Sequence, residues 1–218
     1  MIVAIDGPAG CGKSSLAAMI SRNLGFLYIN SGNLYRAISF AVITKGVSVG
    51  DTQGILRVAS QVHIEYLPDG TISVDGKVVD RELRTPAVDA IVAQVSAIPE
   101  VRAIVNKIIQ KVAAGRDCVA EGRDMTTVVF PNADLKIYLD ASVEKRAERR
   151  FMQNSEGMSL DDIRKNIEMR DRIDTTKSTG ALKIAEDAYY LDTSGLTIEQ
   201  VYEKVYSKIL YVRDTHGQ

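Results

Sequence analysis

The run Gly7-Pro8-Ala9-Gly10-Cys11-Gly12-Lys13-Ser14 fits G-x-x-x-x-G-K-[ST] at every position, and its flanks leave few folds open. Before it stands Ile2-Val3-Ala4-Ile5, a continuous apolar run that predicts a short strand buried on both faces. After it, Lys13 to Leu24 carries Leu16, Ala17 and Ile20 at helical spacing. Strand, glycine-rich turn and helix in that order make a phosphate cradle. Glycines let the backbone turn so that successive N–H groups point inward, and the helix N-terminus adds partial positive charge. In such a cradle Lys13 reaches the β- and γ-phosphates of a nucleoside triphosphate, and the Ser14 hydroxyl binds Mg²⁺. Cys11 lies inside the loop, where Lys13 and the helix N-terminus favour its thiolate, but a small residue tolerated at a variable position explains it better than a redox role.

The rest of the chain alternates strand and helix patterns. Leu27-Tyr28-Ile29 reads as a second strand, with a helix from about Leu34 to Thr44. Val62 to Val79 reads as two or three short strands split by the turn signals Pro68-Asp69-Gly70 and Asp75-Gly76, which gives an inserted antiparallel flap. Helices are expected over Val88–Ala97 and Pro99–Ala114, with Pro99 suited to a helix start. Cys118–Glu121 and Leu135–Leu139 resume the buried-strand pattern. Val143–Met152 and Leu160–Arg172 are charged helices on either side of the polar stretch Gln153–Gly157. Tyr189-Tyr190-Leu191 is a last strand and Ile198–Val212 a closing helix. The class is α/β, a mostly parallel sheet with helices on both faces.

Composition narrows the partners. The 218 residues carry a formal net charge of −1, so nothing global draws the chain to nucleic acid or an anionic membrane. No apolar run nears the roughly 18 residues that span a bilayer. The first strand leaves no room for a signal peptide, which makes the cytoplasm the expected location. Two cysteines and two isolated histidines exclude a disulfide scaffold, a structural zinc site and a histidine triad.

A phosphate cradle alone serves both kinases and guanine-nucleotide switches. The switch needs N-K-x-D, and Asn106-Lys107-Ile108-Ile109 lacks the aspartate. Asp51-Thr52-Gln53-Gly54 matches D-x-x-G in letters, but lies in a polar stretch that ends no buried strand. Six arginines between positions 146 and 172 favour phosphoryl transfer: Arg146, Arg149, Arg150, Arg164, Arg170 and Arg172. Solvated i,i+4 pairing with nearby acids accounts for Arg146 and Arg164. It accounts less well for Arg149, Arg150 and Arg170, which fit an arginine-rich lid that neutralises transferring phosphate and keeps water out. Ser31-Gly32-Asn33-Leu34-Tyr35-Arg36 follows the second strand, where Ser31 can cap the helix, and Glu121-Gly122-Arg123-Asp124 follows the third core strand. Both lie where open α/β sheets bind ligands.

Taken together, I-D-G-P-A-G-C-G-K-S (5–14), S-G-N-L-Y-R (31–36), S-A-I-P-E-V-R (96–102), E-G-R-D-M-T-T-V-V-F-P (121–131), Y-L-D-A-S (138–142), R-A-E-R-R (146–150) and Y-L-D-T-S-G-L (190–196) resemble bacterial cytidylate kinases across the whole chain. The resemblance implies a P-loop kinase with a five-stranded parallel sheet flanked by helices, an inserted NMP-binding flap carrying a small antiparallel sheet, and a short helical lid. Its single domain would place the core at 1–35, 115–150 and 175–218, the insert at about 36–114 and the lid at about 151–174. It implies transfer from MgATP to CMP or dCMP, with the loop 7–15, Ser15 included, on ATP. Ser31, Arg36 and Arg123 fall to the CMP phosphate, Arg102 and Asp124 to cytosine, and Arg170 and Asp174 to the ribose region. Tyr35 and Lys177 join the substrate site, Ser14 and Glu121 serve Mg²⁺, and Lys13, Arg123, Arg149, Arg150 and Arg170 neutralise the transition state. Four positions depart from the family pattern: Glu121 stands for the usual Asp, Thr126 for Gly, Ala93 for a frequent Ser and Lys177 for Arg. A P-loop kinase for a non-nucleotide acceptor is the alternative, which the flap at Val62–Val79 disfavours. One compact core with flaps suggests a monomer.

Overall fold

The computed structural model describes residues 1–67, 71–153 and 158–216, the last by its backbone only. The expected turn at Pro68-Asp69-Gly70 and most of the polar stretch before Met158 lie outside these residues. The chain divides into two compact units, one of residues 1–28 and 115–218, the other of residues 29–114.

The first unit is built on a five-stranded sheet of order β2-β6-β1-β7-β8, from β1 (Ile2–Asp6), β2 (Leu27–Asn30), β6 (Cys118–Gly122), β7 (Leu135–Asp140) and β8 (Tyr189–Asp192). β1 runs parallel to both β6 and β7, and β7 parallel to β8. β6 is buried along its whole length, as its unbroken Cys-Val-Ala start predicts for a strand covered on both faces. Helix α1 (Lys13–Leu24) turns Leu16, Ala17 and Ile20 inward, and α8 (Ile198–His216) packs beside it through Val201, Val205 and Ile209. Those side chains share one core with Val3, Ile5, Val119 and Ile137. Full burial of one such aliphatic side chain contributes about 1.5–3 kcal/mol. A smaller core of Ala147, Ile163 and Ile167 joins α6 (Val143–Gln153) to α7 (Leu160–Thr176). α7 opens with a reciprocal Ser159–Asp162 capping box, and runs four residues past its expected end at Arg172.

The second unit holds α2 (Ser31–Thr44), α3 (Thr52–Gln61), α4 (Pro86–Ala97) and α5 (Pro99–Ala113), with an antiparallel sheet of β3 (Ile64–Tyr66), β4 (Ile72–Val74) and β5 (Lys77–Val79). Asp75 (φ 50°) and Gly76 (φ 81°) join β4 to β5 with positive φ at both central residues, the mirror-image turn that matches strand twist. Pro86 and Pro99 occupy first-turn positions of their helices.

One expectation fails here. α2 begins at Ser31 rather than Leu34, and its cap is Asn30, whose Oδ1 accepts from the Asn33 amide; Ser31 is already inside the helix. Asp51-Thr52-Gln53-Gly54 ends no buried strand, as expected; it opens α3, with Asp51 accepting from the Gly54 amide, and Ile55, Val58 and Ala59 make the buried face of that helix.

Candidate active site

The loop between β1 and α1 needs glycine for two separate reasons. At Gly7 a Cβ would fall 2.1 Å from the Leu139 carbonyl oxygen, so no side chain fits. Gly12 meets nothing within 4 Å, but it caps α1 at φ 103°, a left-handed conformation that costs other residues energy. Lys13 is buried, and its Nζ donates to the Pro8 carbonyl at 2.7 Å and to Cys11 Sγ at 3.6 Å. Burial, reinforced by the charge of Arg123, pushes the Lys13 pKa below the usual lysine range. Cys11 is itself buried in the sheet core, so it packs the underside of the loop.

Ser14 Oγ donates to Glu121 Oε1 at 2.6 Å. Glu121 sits near the end of β6 in register with Ile5, so the sheet itself brings the carboxylate to the loop. Tyr28 Oη donates to the same oxygen at 2.7 Å. A hydroxyl and a carboxylate at this separation are hard oxygen donors that fit Mg²⁺, which takes few protein ligands and keeps water or phosphate oxygens for the rest. Asp6, at the end of β1, is also buried. It accepts from the backbone N–H of Met125 (2.9 Å) and Thr126 (2.7 Å) and from Thr126 Oγ1 (2.6 Å). The hydroxyl at Thr126 thus anchors the segment that follows Arg123 and Asp124. That segment makes one turn of π-helix, Met125–Val129, a backbone form frequent at functional sites.

The arginines divide differently from their sequence spacing. Arg146, expected on a solvated face, is only 4% exposed. Its guanidinium donates to the carbonyls of Ala141 (2.8 Å) and Ala9 (3.1 Å) and pairs with Asp171 at 2.6 Å, so it braces the phosphate loop from below. Arg149 is committed to Thr193 and to the Leu196 carbonyl. Arg150 and Arg170 are exposed, and Arg164 pairs with Asp161 on the surface as its spacing predicts. Arg123 Nε donates to Asp174 at 2.6 Å, and Lys177 Nζ lies 3.4 Å from the other oxygen of Asp174. Burial pushes the Asp174 pKa up, but Arg123 and Lys177 outweigh it and hold the carboxyl below the usual range. Asp124 is buried beside this pair in sequence.

Within the second unit, Arg36 Nη1 donates to the Leu83 carbonyl at 2.8 Å, and Nη2 pairs with Asp89 at 2.6 Å. Ser31, Tyr35 and Arg102 are buried. The Arg102 guanidinium carbon stands 5.4 Å from the Tyr35 ring centroid, and Nη1 donates to the Ser96 carbonyl at 3.1 Å, so a cation–π contact and a backbone bond fix this arginine on α5.

Comparison with known proteins decides the family: the cytidylate kinase family model matches residues 3–210. The chain belongs to the cytidylate kinase family. A cytidylate kinase of Caldanaerobacter subterraneus subsp. tengcongensis is 41% identical over 219 aligned residues, spanning 99% of this chain and 96% of the relative. One from Alkaliphilus oremlandii is 39% identical over 93% of this chain and 94% of its own length. Among solved structures, an uncharacterized protein from Eubacterium ventriosum shares the fold at a TM-score of 0.55 and 10% identity, covering 96% of this chain and 98% of the other.

Against the cytidylate kinase pattern, the structure joins Lys13, Ser14 and Glu121 around one loop, and joins Arg123 to Asp174 and Lys177. It keeps Arg149 on the Thr193–Leu196 backbone. Sequence reading missed Arg146, Tyr28 and Asp6. Arg146 was hidden by the acids around it. Asp6 carried a signal of its own, a lone carboxylate closing an otherwise apolar strand.

Proposed function

We propose that the protein transfers the γ-phosphoryl group of MgATP to CMP or dCMP, giving ADP and the cytidine diphosphate. The observation that carries this reading is a complete phosphate cradle whose Ser14 hydroxyl meets a strand-end carboxylate, in a chain of the cytidylate kinase family. In this reading residues 7–15 wrap the phosphates of ATP through backbone N–H groups, and Lys13 gives up its Pro8 carbonyl for the β- and γ-oxygens. Ser14 and Glu121 would hold Mg²⁺, which supplies charge neutralisation at those oxygens.

Ser31, Arg36 and Arg123 are assigned to the acceptor phosphate, Tyr35, Arg102 and Asp124 to its base side, and Arg170, Asp174 and Lys177 to the ribose side. The acceptor's phosphate oxygen is already ionised, so no general base is needed. A bond forms from that oxygen to the γ-phosphorus as the β–γ bridge bond breaks, and the electron pair leaves on ADP. Arg123, Arg150 and Arg170 balance the charge carried through that exchange, and Arg149 joins them by giving up its Thr193 and Leu196 carbonyls. An ionised Asp124 only accepts hydrogen bonds, so it suits the exocyclic amine of cytosine and opposes the carbonyl oxygen that uracil presents there.

A coupled assay of ADP release across CMP, dCMP, UMP, AMP, GMP and shikimate tests the reading. CMP and dCMP should stimulate release, with UMP far behind. Equal rates for CMP and UMP would sink the role of Asp124. Stimulation by shikimate alone would point to a non-nucleotide acceptor, and ATP hydrolysis that no acceptor accelerates would restore the switch class.

A further inference from the structure

Glu121 Oε1 accepts two hydroxyl hydrogen bonds at once, from Ser14 at 2.6 Å and from Tyr28 at 2.7 Å. The two donors reach it from different elements, Ser14 from the first turn of α1 and Tyr28 from β2, the strand beside β6 in the sheet. The Tyr28 ring packs against the sheet core while its hydroxyl faces the carboxylate, so the ring fixes where the hydroxyl stands. Glutamate has one more rotatable bond than aspartate, and a carboxylate that must hold one orientation near a cation loses precision with each free torsion. The Tyr28 hydroxyl removes that freedom. By holding Oε1 in place it also keeps the Ser14 proton turned toward Glu121, which leaves the lone pairs of Ser14 Oγ directed away from the carboxylate.

We propose that Tyr28 is a positioning residue for the cation-binding pair Ser14–Glu121, setting the affinity of the site for a divalent cation without touching substrate. The proposal rests on the assignment of Ser14 and Glu121 to Mg²⁺. Outer partners of this kind change metal affinity by about 10–100-fold when removed.

The test is Tyr28→Phe, which keeps the ring and deletes the hydroxyl, with folding confirmed by a single cooperative thermal transition. Mn²⁺ binding to the enzyme saturated with a non-hydrolysable ATP analogue, read by electron paramagnetic resonance, should weaken about tenfold. The Mg²⁺ concentration for half-maximal turnover should rise by a similar factor, with the KM for CMP unchanged. In a Glu121→Asp background the shorter carboxylate lies one methylene further from Tyr28, and adding Tyr28→Phe should then cost little. Unchanged Mn²⁺ affinity in Tyr28→Phe, or an equal loss in both backgrounds, would overturn the proposal. Failure of the functional reading would look different: the wild-type protein would show no acceptor-dependent turnover, while Mn²⁺ binding still reported on Tyr28. If Tyr28→Phe does not fold, Tyr28→Trp, which also removes the hydroxyl, decides the same question by its Mn²⁺ affinity. Wild-type affinity in that variant would overturn it.

Discussion

Arg146 Nη2 lies 2.6 Å from Asp171 Oδ2, which ties α7 to α6 while the same guanidinium holds the Ala9 carbonyl of the phosphate loop. Asp171 Oδ1 is buried without a hydrogen-bond partner, so the arginine is the group that answers this carboxylate. Removing one member of a buried pair leaves the other charge uncompensated, at about 3–5 kcal/mol. Asp171 keeps 21% side-chain exposure, which places Arg146→Met at about 3 kcal/mol, the low end of that range. Urea denaturation measures it. Arg146→Lys should recover less than half, because a point charge cannot serve two carbonyls and a carboxylate in a fixed fork.

Lys13 separates activity from stability. Its pKa is lowered by burial, so the folded state holds the charged ammonium less well than the unfolded chain does. Lys13→Met should therefore be at least as stable as the wild type at pH 7, while kcat falls by about 10²–10³-fold, the loss typical of one transition-state donor. The sign follows from linkage. Between the lowered folded pKa and the unfolded value near 10.4, the unfolded chain binds more protons, so wild-type stability rises with pH and the advantage of Met shrinks. Denaturation at pH 7 and pH 10 checks the trend; a clear loss of stability in Lys13→Met at pH 7 would contradict it.

The Arg123–Asp174 pair carries an acid dependence of the opposite kind. Asp174 titrates below its unfolded value near 3.9, so its contribution is complete above that pH and is lost as pH falls through the folded pKa. Asp174→Asn should be less stable than the wild type at pH 6, with the gap closing on acidification below about pH 4. A gap of the same size at pH 3 and pH 6 would show that charge is not its origin.

The parts of this molecule that sequence revealed are those whose cause is local. Gly7 to Ser14 spells its own geometry, Asp75-Gly76 spells a mirror-image turn, and Pro99 marks a helix start within a single residue. The start of α3 was equally local but went unpredicted, because Asp51 shows as a helix cap only once the apolar spacing of Ile55, Val58 and Ala59 behind it is weighed. Arg146 and Tyr28 were not legible at all. Their partners lie far along the chain, Ala9 at 137 residues from Arg146 and Glu121 at 93 residues from Tyr28, and only packing brings them together. Charge patterning on α6 describes its exposed face, and says nothing of Arg146, which is buried.

Thr126 offers the sharpest check on how the segment after β6 is held. Asp6 is fully buried; burial pushes its pKa up, while bonds from Thr126 and Met125 pull it back. Thr126→Val deletes the hydroxyl donor and keeps the shape, so the carboxylate loses one of three hydrogen bonds. Hydrogen bonds to charged groups contribute about 1.5–3 kcal/mol, which sets the expected loss at neutral pH. With one donor fewer, the folded pKa of Asp6 should climb further above its unfolded value. A raised folded pKa means that this group favours folding most below about pH 4 and ever less as pH rises through the folded pKa. Wild type and Thr126→Val should therefore differ least in acid, and diverge as pH climbs until both carboxylates are ionised. Denaturation midpoints between pH 3.5 and pH 7.5 would show this divergence, and a constant offset across the range would mean that Thr126 acts by packing alone.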